Sequence, residues 1–189
     1  VIAFGGRQLD ESQEGGKYIN SVESAVFKKS RSLYGLYEAR NAIRKEQKVL
    51  LVEGNLDVVA LSEAGMRHVV APLGTALTGE QLHLLRRYTK TVLLMFDGDQ
   101  AGIKAALKSI PLLKEKGCSG RVVFLPPGED PDTFVRQHGV ESLEQIIQQS
   151  PPPVEAYLEH VLPGRDASVT EKVEGLRQAL DGLLQPFGR

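Results

Sequence analysis

Residues 92–102 read VLLMFDGDQAG. Five apolar side chains, Val92 to Phe96, end abruptly in Asp97-Gly98-Asp99, and Ala101-Gly102 opens a helical pattern. An apolar run of this length, rich in branched residues and bounded by turn formers, reads as a buried strand. It aims two carboxylates, one residue apart, off its C-terminal end. An isolated D-x-D also serves as a turn or a helix cap, so its meaning depends on what surrounds it.

The surroundings repeat the unit. KVLLVEG (48–54), HVVAPLG (68–74), TVLLMFD (91–97) and RVVFLPP (121–127) read as strands. NLDVVALSEAG (55–65), TGEQLHLLRRY (78–88) and DQAGIKAALKSIPLLKEKG (99–117) between them read as helices. Thr78 is a candidate N-cap, Leu82, Leu84 and Leu85 form a buried face, and Pro111 predicts a kink. Strand runs without polar alternation suit parallel strands covered on both faces. The expected fold is therefore α/β, a doubly wound parallel sheet with right-handed crossovers.

Toward the N-terminus, VIAFGGRQL and KYINS read as strands around a Gly-rich loop, and residues 32–45 as a helix interrupted by Gly35. Toward the C-terminus, PPGEDPDTFVRQHG (126–139) reads as a loop and short helix, and 141–150 as a further helix. Pro151-Pro152-Pro153 punctuates the chain. Beyond it lie a helix over 154–162 and an amphipathic stretch from Ser168 to Leu184, with Val173, Leu176, Leu180 and Leu183 on one face. The expected organisation is an N-terminal α+β segment over 1–47, the α/β unit over 48–127 and a helical appendage over 128–189.

Bulk properties narrow the classes. The chain has 189 residues, 41% hydrophobic and 25% charged, with a formal net charge of −1. Such a chain can bury a core without staples. No run approaches the roughly 18 apolar residues of a membrane span. The single Cys118 forms no internal disulfide, which suits a reducing cytoplasm. A chain opening on Val1 without a leader reads as an excised piece of a longer protein. Residues 1–48 carry nine Lys/Arg against six Asp/Glu, a +3 front before the acidic segments.

Those acidic segments follow separate strands. Glu53 and Asp57 follow the first, Asp97 and Asp99 the third, Asp130 and Asp132 the fourth. In open parallel sheets, ligands bind beyond the carboxyl ends of the strands, where strand order reverses. All three clusters are expected at one edge. Carboxylates so gathered repel and raise one another's pKa, a cost that divalent cations remove. Two ions could activate an attacking oxygen and steady a leaving one in phosphoryl or nucleotidyl transfer. Gly54 and Gly98 would let a phosphate approach the backbone. Asp57 and Asp132 also suit the first turn of a helix.

E-G-x-x-D at Glu53–Asp57 and D-G-D-x-A-G at Asp97–Gly102, in this βα order, resemble the Toprim fold of primases, topoisomerases and some nucleases. The flanking VIAFGGR, KYINS, FKKSRSLYGLYEA and GEDPDTFVR resemble stretches of DnaG-type bacterial primase from Val1 to about Gly139. This resemblance implies part of an RNA polymerase domain that copies single-stranded DNA into RNA primers from ribonucleoside triphosphates, with two Mg²⁺ or Mn²⁺ ions. It implies Glu53, Asp97 and Asp99 as catalytic residues and, with Asp130 and Asp132, as metal ligands, beside Asp57. Glu53 would handle the proton of the attacking 3′-hydroxyl. Arg7, Lys17, Asn20 and Lys29 match positions that contact template, nucleotide or product. Contacts with a replicative helicase and a zinc-binding module would lie in regions outside this chain. Asn55-Leu56 departs from the more usual Tyr-Met, and Gln100 stands where a basic residue is common. Two other readings stay open: another Toprim enzyme, nuclease or topoisomerase, or a noncatalytic single-stranded nucleic-acid-binding module. The five tyrosines sit in no topoisomerase context.

Overall fold

A computed structural model of the chain describes residues 1–7, 18–164 and 166–184. The four apolar runs form one parallel sheet. Its strands are β3 (Val49–Leu51), β4 (Val69–Val70), β5 (Thr91–Phe96) and β6 (Ser119–Phe124), in the order β4-β3-β5-β6. Before them, β1 (Gly5–Arg7) and β2 (Tyr18–Asn20) pair antiparallel, with Gly5 opposite Asn20. The Gly-rich loop expected between them lies outside the described residues.

Alternation along the strands divides the core in two. Leu51, Leu94 and Val122 face one side of the sheet, and Leu50, Leu93 and Val123 the other. The first layer is filled by α1 (Leu36–Glu46), α3 (Gly79–Leu85) and α4 (Gln100–Glu115), with α6 (Pro153–Val161) and α7 (Val169–Leu184) behind them. The second is filled by α2 (Asn55–Glu63) and α5 (Pro131–Gln149). The crossover from β3 to β4 runs in the opposite direction along the sheet from the next two. Its helix α2 accordingly lies on the opposite face from α3 and α4, as uniform handedness requires. Strand order therefore reverses between β3 and β5.

Local chemistry explains the helix starts. Thr78 accepts from the Gln81 N–H, and the Gln81 side chain accepts from the Thr78 N–H at 3.0 Å, closing a capping box. Gln81 is wholly buried, and its amide also donates to the carbonyls of Lys29 and Ser32, both at 2.9 Å. It thereby ties the 3₁₀ turn Lys29–Arg31 to α3.

Several expectations needed correction. Gly35 does not interrupt a helix but starts one: at φ +77° it caps α1, directly after Tyr34 bridges to Ala71 on the edge of β4. α4 runs through Pro111 without a break, whereas the helix boundary expected at Gly139 is present, as a bend in α5 at φ 79° and ψ 168°. On α7 most of the expected apolar face is turned outward, although Leu183 packs against the core beside Ala179. Val173, Leu176 and Leu180 are 45%, 52% and 55% exposed, while Ala179 is buried. Small residues decide this. A Cβ on Gly175 would stand 2.4 Å from Cδ of Pro163, so only the Gly175–Ala179 side can approach its neighbours this closely.

Candidate active site

Each acidic cluster sits where a strand hands over to a helix. After β3, Glu53 and Gly54 lead into α2, and the Gly54 N–H donates to Oδ2 of Asp57 at 2.9 Å. After β5, Asp99 caps α4 and accepts from the Gly102 N–H at 2.7 Å. After β6, Asp130 caps α5 and accepts from the Thr133 N–H at 2.7 Å, with Pro131 in the first helical position. Helix N-termini stabilise carboxylates through free N–H groups and the macrodipole. The caps at Asp99 and Asp130 use one oxygen each, so a structural role and a ligand role can coexist in one carboxylate.

Backbone packing brings the three clusters together. The Gly98 N–H donates to the Glu129 carbonyl at 3.0 Å. A Cβ on Gly98 would lie 2.1 Å from the Pro126 carbonyl oxygen, and one on Gly102 only 2.3 Å from that of Asp97. Neither Gly54 nor Gly98 has a positive φ. Glycine at 98 is required because the loop after β6 presses on it. Gly102, part of the D-G-D-x-A-G motif but given no role from the sequence, lets α4 sit on Asp97; its signal was a glycine in the first turn of an otherwise ordinary helix. The Asp97 N–H donates in turn to Oε1 of Glu53 at 3.2 Å, joining the β3 and β5 ends.

The result is a groove of about 660 Å³ whose lining includes Glu53, Asp57, Asp97, Asp130 and Asp132. Asp99 is not among its lining residues. Gly5, Gly6 and Asn20 of the β1–β2 hairpin also line it, and the Asn20 amide donates to the Leu73 carbonyl at 3.2 Å. Tyr34 and Asn55 line it as well, without having been singled out from the sequence. Asn55 carried a signal, since it sits inside the Glu53–Asp57 motif. Lys29 lies away from this lining, on the turn docked to α3. Lys17 and the Arg7 side chain fall outside the described residues. Asp132 is paired with Arg136, and Glu129 reaches His138 at 3.3 Å.

Electrostatics mark the groove. Burial pushes the Asp57 carboxyl up to about 7, and the charges of Asp97, Asp130 and Glu53 push the same way, against the Gly54 hydrogen bond. Glu53 is raised by burial of its carboxyl, then by Asp97 and, less, by Asp99. Among the described residues, no three acidic, histidine or cysteine side chains are gathered closely enough to enclose an ion by themselves. An all-oxygen donor set around an open groove fits Mg²⁺ or Mn²⁺, since Mg²⁺ keeps several waters and takes one or two carboxylates plus substrate phosphates. The raised carboxyls supply the reason for a cation to bind there.

A four-stranded parallel sheet of this order, with acidic residues at its switch point, defines a Toprim-like protein. The Toprim-like family pattern matches residues 50–135, and that of the DNA primase catalytic core, N-terminal domain, matches residues 1–40. The chain belongs to the DnaG-type bacterial primase family, as a Toprim-containing part of the catalytic core. The DNA primase of Aquifex aeolicus is 49% identical over 150 residues, covering 79% of this chain and 30% of the relative. That of Pseudomonas aeruginosa is 43% identical over 175 residues, covering 90% of this chain and 26% of the relative. The chain thus spans under a third of these relatives. A crystal structure of a Pseudomonas aeruginosa DNA primase domain superposes with a TM-score of 0.87 at 39% identity, over 98% of this chain and 59% of that one. The DnaG primase catalytic domain bound to single-stranded DNA superposes at 0.82 with 39% identity, over 98% and 60%. Toprim primases are metal-dependent in general. Among the described residues no helix is long and apolar enough to cross a membrane.

Proposed function

We propose that this chain carries the acidic half of a nucleotidyl-transfer site, which joins ribonucleotides into RNA primers on a single-stranded DNA template. The observation that carries this reading is the convergence of carboxylates from three strand ends on one groove, where Glu53 and Asp57 are raised by burial and by neighbouring charge. The single-stranded DNA bound to the related DnaG catalytic domain supports the choice of template. Glu53, Asp97 and Asp130 would hold divalent ions, two of Mg²⁺ or Mn²⁺, with Asp132 and Asp99 flanking. When bound, such ions supply positive charge that stabilises the attacking and leaving oxygens of an in-line displacement. Glu53, with its raised proton affinity, accepts the proton of the 3′-hydroxyl. Asp57 holds the turn that presents Glu53, through the Gly54 N–H. Asn20 sits on the facing wall, where its amide group can meet sugar or base, and Arg7, Lys17 and Lys29 provide phosphate contacts.

The test is Mn²⁺ binding followed by electron paramagnetic resonance, with and without a ribonucleoside triphosphate. Nucleotide should tighten Mn²⁺ binding, and Asp97→Asn with Asp99→Asn should remove that linkage. Binding of Mn²⁺ indifferent to nucleotide would remove the primase mechanism and leave a metal site. Absence of Mn²⁺ binding would refute the site itself. In the full-length protein, Asp97→Asn should abolish primer synthesis while the fold survives.

A further inference from the structure

The opposite end of the sheet, at the N-terminal ends of the strands, has its own electrostatic character. Two turns meet there, residues 44–48 (Arg-Lys-Glu-Gln-Lys) and 86–90 (Arg-Arg-Tyr-Thr-Lys), which hold six cations against the single carboxylate of Glu46. Their junction is built. The buried Thr89 hydroxyl donates to the Gln47 carbonyl at 2.7 Å and accepts from the Thr91 N–H at 3.1 Å. Gln47 itself is held at φ 53°, in the left-handed region that few residues other than glycine occupy. The Arg44 guanidinium lies 4.9 Å from the centroid of Tyr88.

A bland account covers part of this. Arg44 and Lys45 end α1, and Arg86 follows α3, where cations complement the helix dipole. Lys48 and Lys90 are not in helices; they stand directly before β3 and β5. Among the described residues none of the six cations is in an ion pair with a carboxylate. Gathering five net charges without partners opposes folding, so dipole complementation alone would favour fewer of them.

A second observation indicates the partner. On the exposed side of α1, Arg40 stacks on Tyr37 at 3.8 Å, one turn before Arg44 and Tyr88. Positions 37, 40 and 44 share one helix face. Tyr37, Arg40, Arg44 and Tyr88 therefore form a line of two ring–guanidinium pairs, running along the helix and ending at the basic turns. Stacking faces interleaved with cations suit bases and phosphates together, and suit an acidic peptide less well.

We propose that this basic edge, with the Tyr–Arg line leading to it, is a second contact surface for single-stranded nucleic acid, separate from the carboxylate groove. β5 lies between the two, which sets them roughly 20 Å apart at about 3.3 Å per residue. A strand held at the edge is thus kept away from the repelling carboxylates and can still extend toward them. This surface does not depend on the primase reading.

The test is equilibrium binding of a fluorescein-labelled oligothymidylate by anisotropy across a salt series, for the parent and for Arg86→Ala/Arg87→Ala/Lys90→Ala. Single-strand binding loses about 0.7 in log–log salt slope per cation removed, so the triple variant should lose about 2. Between 50 and 200 mM salt the parent should then lose roughly 20-fold more affinity than the variant. Asp97→Asn, which alters only the groove, should not reproduce this loss of slope, so failure of the edge and failure of the groove are separable. An unchanged slope in the triple variant overturns the proposal. So does an oligoglutamate probe whose binding is lost in the triple variant while the oligothymidylate is unaffected, because the edge would then serve an acidic protein segment.

Discussion

Asp57→Asn should stabilise the protein at alkaline pH and lose that advantage on acidification. The Asp57 carboxyl has a pKa of about 7 in the fold against an ordinary value of 3.8. Its protonated form is the one the fold favours. The stability it contributes is therefore fully present below 3.8 and is lost as pH rises through 7. Between pH 5 and 7 the unfolded chain is ionised at this position while the folded one keeps its proton, which removes about 1.4 kcal/mol per pH unit. Two units give about 3 kcal/mol, and screening at this part-exposed site brings the expectation to about 2 kcal/mol. Asparagine stays neutral and can still accept from the Gly54 N–H, so the turn survives. The assay is guanidinium unfolding of parent and variant in chelator at pH 5 and pH 8. The stability difference, variant minus parent, should rise by about 2 kcal/mol from the lower pH to the higher. Millimolar Mg²⁺ at pH 8 should narrow it, because a bound cation performs the neutralisation that the variant makes permanent. Parallel curves, with the same difference at both pH values, would refute the account of Asp57 as a carboxylate held against its preference.

Three further outcomes follow from packing. Gly98→Ala places a methyl 2.1 Å from the Pro126 carbonyl oxygen, so the loop carrying Asp130 must shift; thermal denaturation should show a loss of about 1–3 kcal/mol, and Mn²⁺ affinity should fall with it. Gln81→Leu strands the Thr78 N–H and the carbonyls of Lys29 and Ser32; chemical unfolding should show a cost of about 3 kcal/mol, with the metal site unaltered. Leu94→Ala empties a wholly buried position in the central strand; its unfolding free energy should fall by about 2–5 kcal/mol, and a loss below 1 kcal/mol would contradict the central place given to β5.

Residue pattern was enough to read the parallel sheet. Four apolar runs separated by helical spacing can bury both faces in only a few ways, and handedness leaves fewer. The same pattern placed Glu53, Asp97 and Asp130 after the first, third and fourth of those runs, and the Thr78 cap was legible because capping is local chemistry. The helix boundary at Gly139 was legible, whereas the unbroken course of α4 through Pro111 and the face that α7 buries were not. Gly35, Pro111 and the apolar residues of α7 were each read from intrinsic preference, which by itself did not decide the outcome. Gly35 takes its conformation where the chain leaves the bridge to Ala71, and Leu176 and Leu180 yield to the close approach of Gly175 and Pro163.

The division runs through the site as well. The sequence by itself determined which carboxylates stand at strand ends, since a chain leaving a parallel strand must turn there. Only the tertiary structure decided which strand ends are neighbours, because strand order is set by crossovers that no local pattern encodes. It also decided that Gly98 and Gly102 serve close packing, that Asp99 and Asp130 double as helix caps, and that ten residues from two distant turns make one basic edge. Each of these depends on contacts between segments far apart in the chain, where side-chain volume and charge meet only after folding.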